Sequence, residues 1–146
     1  MPTALETKHS VTIDAPAGKV WDALTTPELI KEWFFGVDTE SDWKEGSEIV
    51  HRGEWKGKPY EDKGRIVTLE PPRTFVHTHW SPMSGVPDSE ENYQEVTWSL
   101  TETDGKTELS VGEVNLPSED AKSVSDQSWP MVLDNLKKLL EGRPRS

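Results

Sequence analysis

Two histidines one residue apart, His77 and His79, are the first candidates for chemistry in this chain. On an extended strand the alternation of side chains puts both imidazoles on one face, together with Phe75. Imidazole titrates near neutrality, so it serves as a general base, a hydrogen-bond partner or a metal ligand. His51 and Glu113 lie on segments that could face the same space. Two same-face histidines, a third imidazole and a carboxylate are the donor set that zinc or iron requires. The simpler reading has the imidazoles hydrogen-bonding water or an organic ligand, and it is the one adopted: no metal and no cofactor is expected. Arg52, Arg65 and Arg73 could hold an anion, but arginine is mostly exposed, and strand-edge and turn positions facing solvent are expected for all three. The sequence has no nucleophile elbow, no phosphate loop, no HExxH motif and no cysteine. Nothing in it demands an enzyme, and no catalytic residue is assigned.

The second candidate set is aromatic. Trp33, Trp55, Tyr60, Phe75, Trp98 and Trp129 are spread along the whole chain. An apolar pocket with a few convergent polar groups is the common form of a small-molecule site. Trp21 and Trp98 are read first as core, with Trp98 kept in the candidate set. These rings also answer a question of composition. Leu, Ile, Val and Phe make up about a fifth of the chain and the net charge is −11, a combination close to that of disordered segments. Seven tryptophans, each able to bury roughly 150–250 Å², restore the apolar payload of a folded core. The surplus of acid disfavours nucleic acid and anionic membrane surfaces. The runs Glu40-Ser41-Asp42, Glu61-Asp62 and Asp88-Ser89-Glu90-Glu91 are read as solvated faces. No apolar run approaches the roughly 20 residues of a membrane span. The first ten residues lack the features of a secretory signal, so a cytoplasmic location is expected. The 146 residues fit one domain.

These side chains need elements to position them. Alternating patterns predict strands at 8–14, 47–55, 60–69, 74–80, 93–103 and 106–114. Asp104-Gly105 is a hairpin turn signal between the last two. Asp14-Ala15-Pro16 opens a short helix, with Asp14 as its expected cap. Thr26-Pro27-Glu28 opens a second, which Gly36 ends. Residues 81–92 read as a polar, lid-like loop. After Ser118 a long helix begins, and Pro130 requires either a kink or a fresh start near Ser128. Val132, Leu136, Leu139 and Leu140 form its apolar stripe, and Lys137 and Lys138 suit its C-terminal end. One amphipathic helix covering one face of an antiparallel sheet makes an α+β two-layer domain.

Several phrases in this order resemble the START-like helix-grip superfamily, also called SRPBCC, in its branch of activators of the 90-kDa heat-shock chaperone ATPase. They are Ile13-Asp14-Ala15-Pro16, Val20-Trp21-Asp22-Ala23-Leu24-Thr25, Gly64-Arg65-Ile66-Val67, Glu70-Pro71-Pro72-Arg73 and Val96-Thr97-Trp98-Ser99-Leu100. Thr107-Glu108-Leu109-Ser110-Val111 and the set Trp129, Leu133, Leu136, Leu140 complete the match over about 130 residues. The resemblance implies a curved antiparallel six-stranded sheet gripping a long C-terminal helix, with two short helices between strands 1 and 2 and a cavity between sheet and helix. The branch usually carries aromatic residues where this chain has His77 and His79. The fold hosts many activities and does not settle function. The expected function is non-enzymatic binding of a small hydrophobic molecule or lipid by Trp33, His51, Trp55, Tyr60, Phe75, His77, His79, Trp98, Glu113, Trp129 and Leu133. The alternatives are a chaperone-binding interaction module, and a cyclase or dehydratase using cavity His and carboxylate. The chain is expected to be a monomer or homodimer. A continuous pocket favours the first reading, a filled core with an exposed apolar patch the second, and a buried His–carboxylate pair at the pocket floor the third.

Overall fold

The computed structural model describes residues 5–34, 36–82 and 86–142. Seven strands form one antiparallel sheet: β1 (Leu5–Ile13), β2 (Asp38–Ser41), β3 (Glu48–Trp55), β4 (Lys58–Glu70), β5 (Thr74–His79), β6 (Gln94–Thr103) and β7 (Lys106–Leu116). Their spatial order is β1-β7-β6-β5-β4-β3-β2. Two short helices, α1 (Ala17–Thr25) and α2 (Pro27–Trp33), separate β1 from β2, and α3 (Glu119–Glu141) follows β7. The α+β helix-grip architecture is present. The expected six strands are seven, because β2 was not foreseen. Its four residues, Asp-Thr-Glu-Ser, carry no apolar alternation. Only Thr39 turns inward, 5% exposed, opposite His51. Such a short, charged strand suits a sheet edge, where it discourages further pairing.

The core lies on the concave face. Ile13, Ile49, Ile66, Leu109 and Val111 project inward from the strands and meet Val20 and Leu24 of α1, and Val132 and Leu136 of α3. Asp14 does not cap α1. Its backbone N–H donates to the Glu141 carboxylate at 3.0 Å, and the Ala17 N–H is met by Glu102 of β6 at 2.7 Å. Side chains distant in sequence thus satisfy donors that local capping leaves open. Ser118 does cap α3, accepting from the Ala121 N–H at 3.1 Å, and Gly142 closes the helix with φ of 62°. Pro130 lies inside one continuous helix. Asp104 and Gly105 both have positive φ, 54° and 80°, as the tight β6–β7 turn requires. Gly64 matters to the site: a Cβ there would collide with the Thr78 carbonyl of β5. Its absence lets β5 close against β4.

The expected lid, residues 81–92, is tied down where it is described; residues 83–85 fall outside the described residues. Asp88 pairs with Lys63 at 2.6 Å and accepts from Tyr93 Oη at 2.6 Å. The Asn115 side chain donates to the carbonyls of Glu91 and Tyr93.

Candidate functional site

A cavity of about 230 Å³ lies between the concave face, α2 and the N-terminal part of α3. Rings make up much of its wall. Trp33 of α2 meets Trp98 of β6 edge-on at 5.8 Å, and Trp98 meets Trp129 of α3 at 5.5 Å and 86°. Phe34 and Phe75 continue the wall. Trp33 is itself fixed, its indole N–H donating to the Ala23 carbonyl at 2.8 Å. Such T-shaped pairs orient rings through their quadrupoles.

The opposite pole is polar and is built by strand register. Thr39, His51 and Asp62 stand opposite one another across β2, β3 and β4, and His79 stands opposite Gln94 across β5 and β6. One row along, Ile66, His77, Val96 and Glu113 align across β4 to β7. His51 and His77 are 8% and 7% exposed, and the His51 ring centroid is 6.1 Å from each of the other two.

Each imidazole has a distinct state. His77 Nδ1 donates to the Thr78 carbonyl at 3.0 Å, which leaves Nε2 as the lone-pair nitrogen of a neutral ring. Burial, with a smaller push from His79, lowers its pKa from the ordinary value to about 4, against the Thr78 hydrogen bond. His51 Nδ1 shares a 2.9 Å hydrogen bond with the Thr39 hydroxyl, and burial beside two other imidazoles holds it well below the ordinary value. His79 is opposed by the same burial, but Asp62, Glu113 and Gln94 outweigh it and raise its pKa. Its Nε2 lies 3.0 Å from Asp62 Oδ2, and its Nδ1 faces Gln94 Oε1 at 3.5 Å. Glu113 Oε1 accepts from Ser125 Oγ at 2.8 Å and from Trp129 Nε1 at 3.1 Å.

Trp33, His51, Phe75, His77, His79, Trp98, Glu113 and Trp129 all line this cavity. Leu133 and Tyr60 do not. Leu133 is buried in the core at 2% exposure, one helical turn beyond Trp129, and lines a groove on the β1 side of α3 instead. Tyr60 packs its ring over Gly53, further out on the β3–β4 hairpin. Trp55 ends β3, and its side chain lies outside the described residues. Asp62 was expected on a solvated face. It is instead 15% exposed and bonded to His79, with Oδ1 buried and unpartnered. The signal was present in the sequence: counting by twos from Ile66 through Gly64 reaches Asp62, on the inward face. Thr39, Gln94, Ser125 and Ser128 were also missed, because a polar inward position looks like an outward one until its neighbours are known; Phe34, at the end of α2, was missed as well. Among the described residues, no group of three or more His, Asp or Glu side chains is arranged to hold a metal ion.

The pattern of known proteins agrees with this geometry. The family model described as "Activator of Hsp90 ATPase homolog 1-like protein" matches residues 14–141. The chain belongs to that family. Among solved structures, the solution structure of ChR145 from Cytophaga hutchinsonii is 44% identical, with 97% of each chain covered and a TM-score of 0.83. CalU16 from Micromonospora echinospora is 27% identical over 97% of this chain and 78% of its own, with a TM-score of 0.77. The Aha1 dimer from Colwellia psychrerythraea shares the fold, at 22% identity, 94% and 96% coverage and a TM-score of 0.74. No functionally curated protein matches this chain. For this member of the Hsp90 ATPase activator homologue family, no helix among the described residues is long and apolar enough to cross a membrane.

Proposed function

We propose that this protein binds a small, mainly apolar molecule in the cavity between its sheet and α3, by sequestration rather than chemistry. The observation that carries the reading is the cavity itself: about 230 Å³ bounded by Trp33, Phe34, Phe75, Trp98 and Trp129, with polar groups gathered at one pole. A dry cavity of about 150 Å³ accommodates one benzene, so this one suits a single ring with a short substituent. His79 and Asp62 form a His–carboxylate pair of the kind that favours an enzyme, but both ring nitrogens already face protein oxygens, which leaves neither free for a substrate proton. His77 turns its bonded nitrogen to a backbone carbonyl rather than to an activating carboxylate. The test is a titration with small aromatic and aliphatic ligands, followed by tryptophan emission. Saturable quenching or a spectral shift, lost in Trp98→Leu while the far-UV spectrum is retained, is expected. A flat response across the panel overturns the reading.

The family description supports a second reading, an interaction module acting on the 90-kDa chaperone. Among the described residues the exposed large hydrophobics are Val67 on β4, Val114 on β7 and the pair Val124 and Met131 on α3; spread over three elements, they favour the cavity over a docking patch. ATPase stimulation by the purified protein is the direct test, and an unchanged rate removes this alternative.

A further inference from the structure

The polar pole of the cavity has hydrogen-bond acceptors in excess. His77 Nε2 is the free lone-pair nitrogen of its ring, because Nδ1 spends its hydrogen on the Thr78 carbonyl. Glu113 accepts from Ser125 and Trp129 through Oε1, and among the described residues no hydrogen bond reaches its Oε2. Behind the wall, Asp62 Oδ1 is buried without a partner. Among the described residues, no lysine or arginine lines the cavity. Asp62 Oδ1 is sealed in the protein, whereas His77 and Glu113 line the cavity, so a ligand that supplies a hydrogen there replaces water at an acceptor the protein leaves open.

From this geometry we infer that the bound molecule is a neutral, hydroxyl-bearing ring compound, whose O–H donates to His77 Nε2 or Glu113 Oε2 while its ring lies among the tryptophans. The inference rests on the cavity-binding reading above and narrows it to a ligand class. A carboxylate or phosphate would bring further acceptors to a pole that already has them in excess, and no lysine or arginine among the described residues lines the wall to meet it. A cationic amine would be drawn to Glu113 but would have to shed its hydration in a mainly apolar cavity that also holds the His79 imidazole. A neutral donor avoids both penalties. The aromatic wall and the neutral state of His77, maintained by burial, then act together. A site built to hydrogen-bond a hydroxyl discriminates strongly against the analogue that lacks it, because its own buried group is left unpaired.

The experiment compares 4-propylphenol, its methyl ether 4-propylanisole, and 4-propylbenzoate at pH 7.5, by calorimetry and tryptophan emission. The phenol is expected to bind at least about tenfold more tightly than the ether, the loss set by one unpaired buried acceptor, and the benzoate not to saturate. His77→Phe removes the imidazole acceptor. Glu113→Gln keeps an acceptor for Trp129 and Ser125 but places an amide donor where Oε2 stood. The phenol-to-ether ratio falls towards one in the variant that removes the acceptor in use, and a ratio unchanged in both folded variants overturns the inference. Glu108→Gln, exposed on β7 and outside the cavity lining, leaves the ratio unchanged. Equal or tighter binding of the ether or the benzoate overturns the inference and leaves the cavity reading standing. Binding of none of the three overturns both.

Discussion

The two parts of α3 on either side of Pro130 are held to the protein by different forces. After Pro130, Val132, Leu133 and Leu136 are at most 2% exposed and locked into the core. Before it, no described residue of the helix is fully buried. That earlier part is fastened by polar contacts together with the edge-on packing of Trp129 on Trp98. Asp126 accepts from Thr7, His9 and Lys122, and Glu113 accepts from Ser125 and Trp129. It is also the part that covers the cavity, through Val124, Ser125, Ser128 and Trp129. Apolar burial of a side chain contributes roughly 1.5–3 kcal/mol, whereas an intramolecular hydrogen bond nets roughly 0.5–1.5 kcal/mol. A cover held mainly by the weaker, re-formable contacts opens locally at lower cost than the seam beside it. The same helix therefore carries a clamp and a door.

The largest effect expected from this contrast comes from paired truncations. Leu136→Ala, in the fully buried seam, should cost about 2–5 kcal/mol in urea unfolding. Val124→Ala, at 63% exposure over the cavity mouth, should stay within about 0.5 kcal/mol. Comparable losses would show that the cover is packed as tightly as the clamp. Acid gives the next largest effect, acting on the cavity pole. His77 faces His51, His79 and Glu113, and its folded pKa of about 4 lies below its ordinary 6.5. Between those values the unfolded chain holds more protons, so stability rises with pH there. The contribution is complete above about pH 6.5 and is lost as the pH falls towards 4, by up to about 3 kcal/mol for His77. His51, also lowered, adds to the loss. His79, raised by its carboxylate neighbours, acts in the opposite sense: its contribution is full below about pH 6.5 and fades as pH rises through its folded value. Asp126, held well below the usual carboxylate range by Thr7, Lys122 and His9, loses its contribution only at more acid pH. Urea midpoints at pH 7.5, 6 and 5 should fall in that order, and His77→Phe should flatten the fall. An unaltered slope in that variant would mean that His77 is not the group held neutral.

The sequence announced the clamp more clearly than the door. The stripe Val132, Leu136, Leu139, Leu140 declares a buried face by its spacing alone. Of these, Val132 and Leu136 are fully buried, and Leu139 and Leu140 pack partly against them. The alternation through Phe75, His77 and His79 likewise placed all three on the cavity wall. What stayed hidden was polar and inward: Thr39 on a strand without apolar residues, and Asp62 within an acidic pair. Their direction depends on register with His51 across three strands, which no local pattern encodes. Tyr60 was misjudged for a related reason. Its face was right, but Gly53 opposite offers a bed for the ring away from the cavity. The acceptor surplus at the pole was out of reach as well, since it depends on which oxygen of Glu113 meets Trp129.

The smallest expected effect is also the most direct probe of the boundary between the two parts. Proline has no backbone N–H, so at position 130 it leaves the Asp126 carbonyl without its helical donor, four residues back. Asp126 is the residue whose side chain ties the cover to β1. The break in the hydrogen-bond ladder thus coincides with the change from polar to apolar fastening. Pro130→Ala restores that donor and joins the cover to the clamp through one uninterrupted ladder. It should stabilise the chain by about 1 kcal/mol, less than the roughly 3 kcal/mol of helix propensity, because the surrounding packing has adapted to proline. Amide exchange at 122–129 should slow towards that of 132–138, and a cavity ligand should enter more slowly with little change in affinity. If the two parts keep their difference in exchange rate, the missing donor at position 130 does not set the boundary, and the looseness of the cover comes from its shallow burial alone.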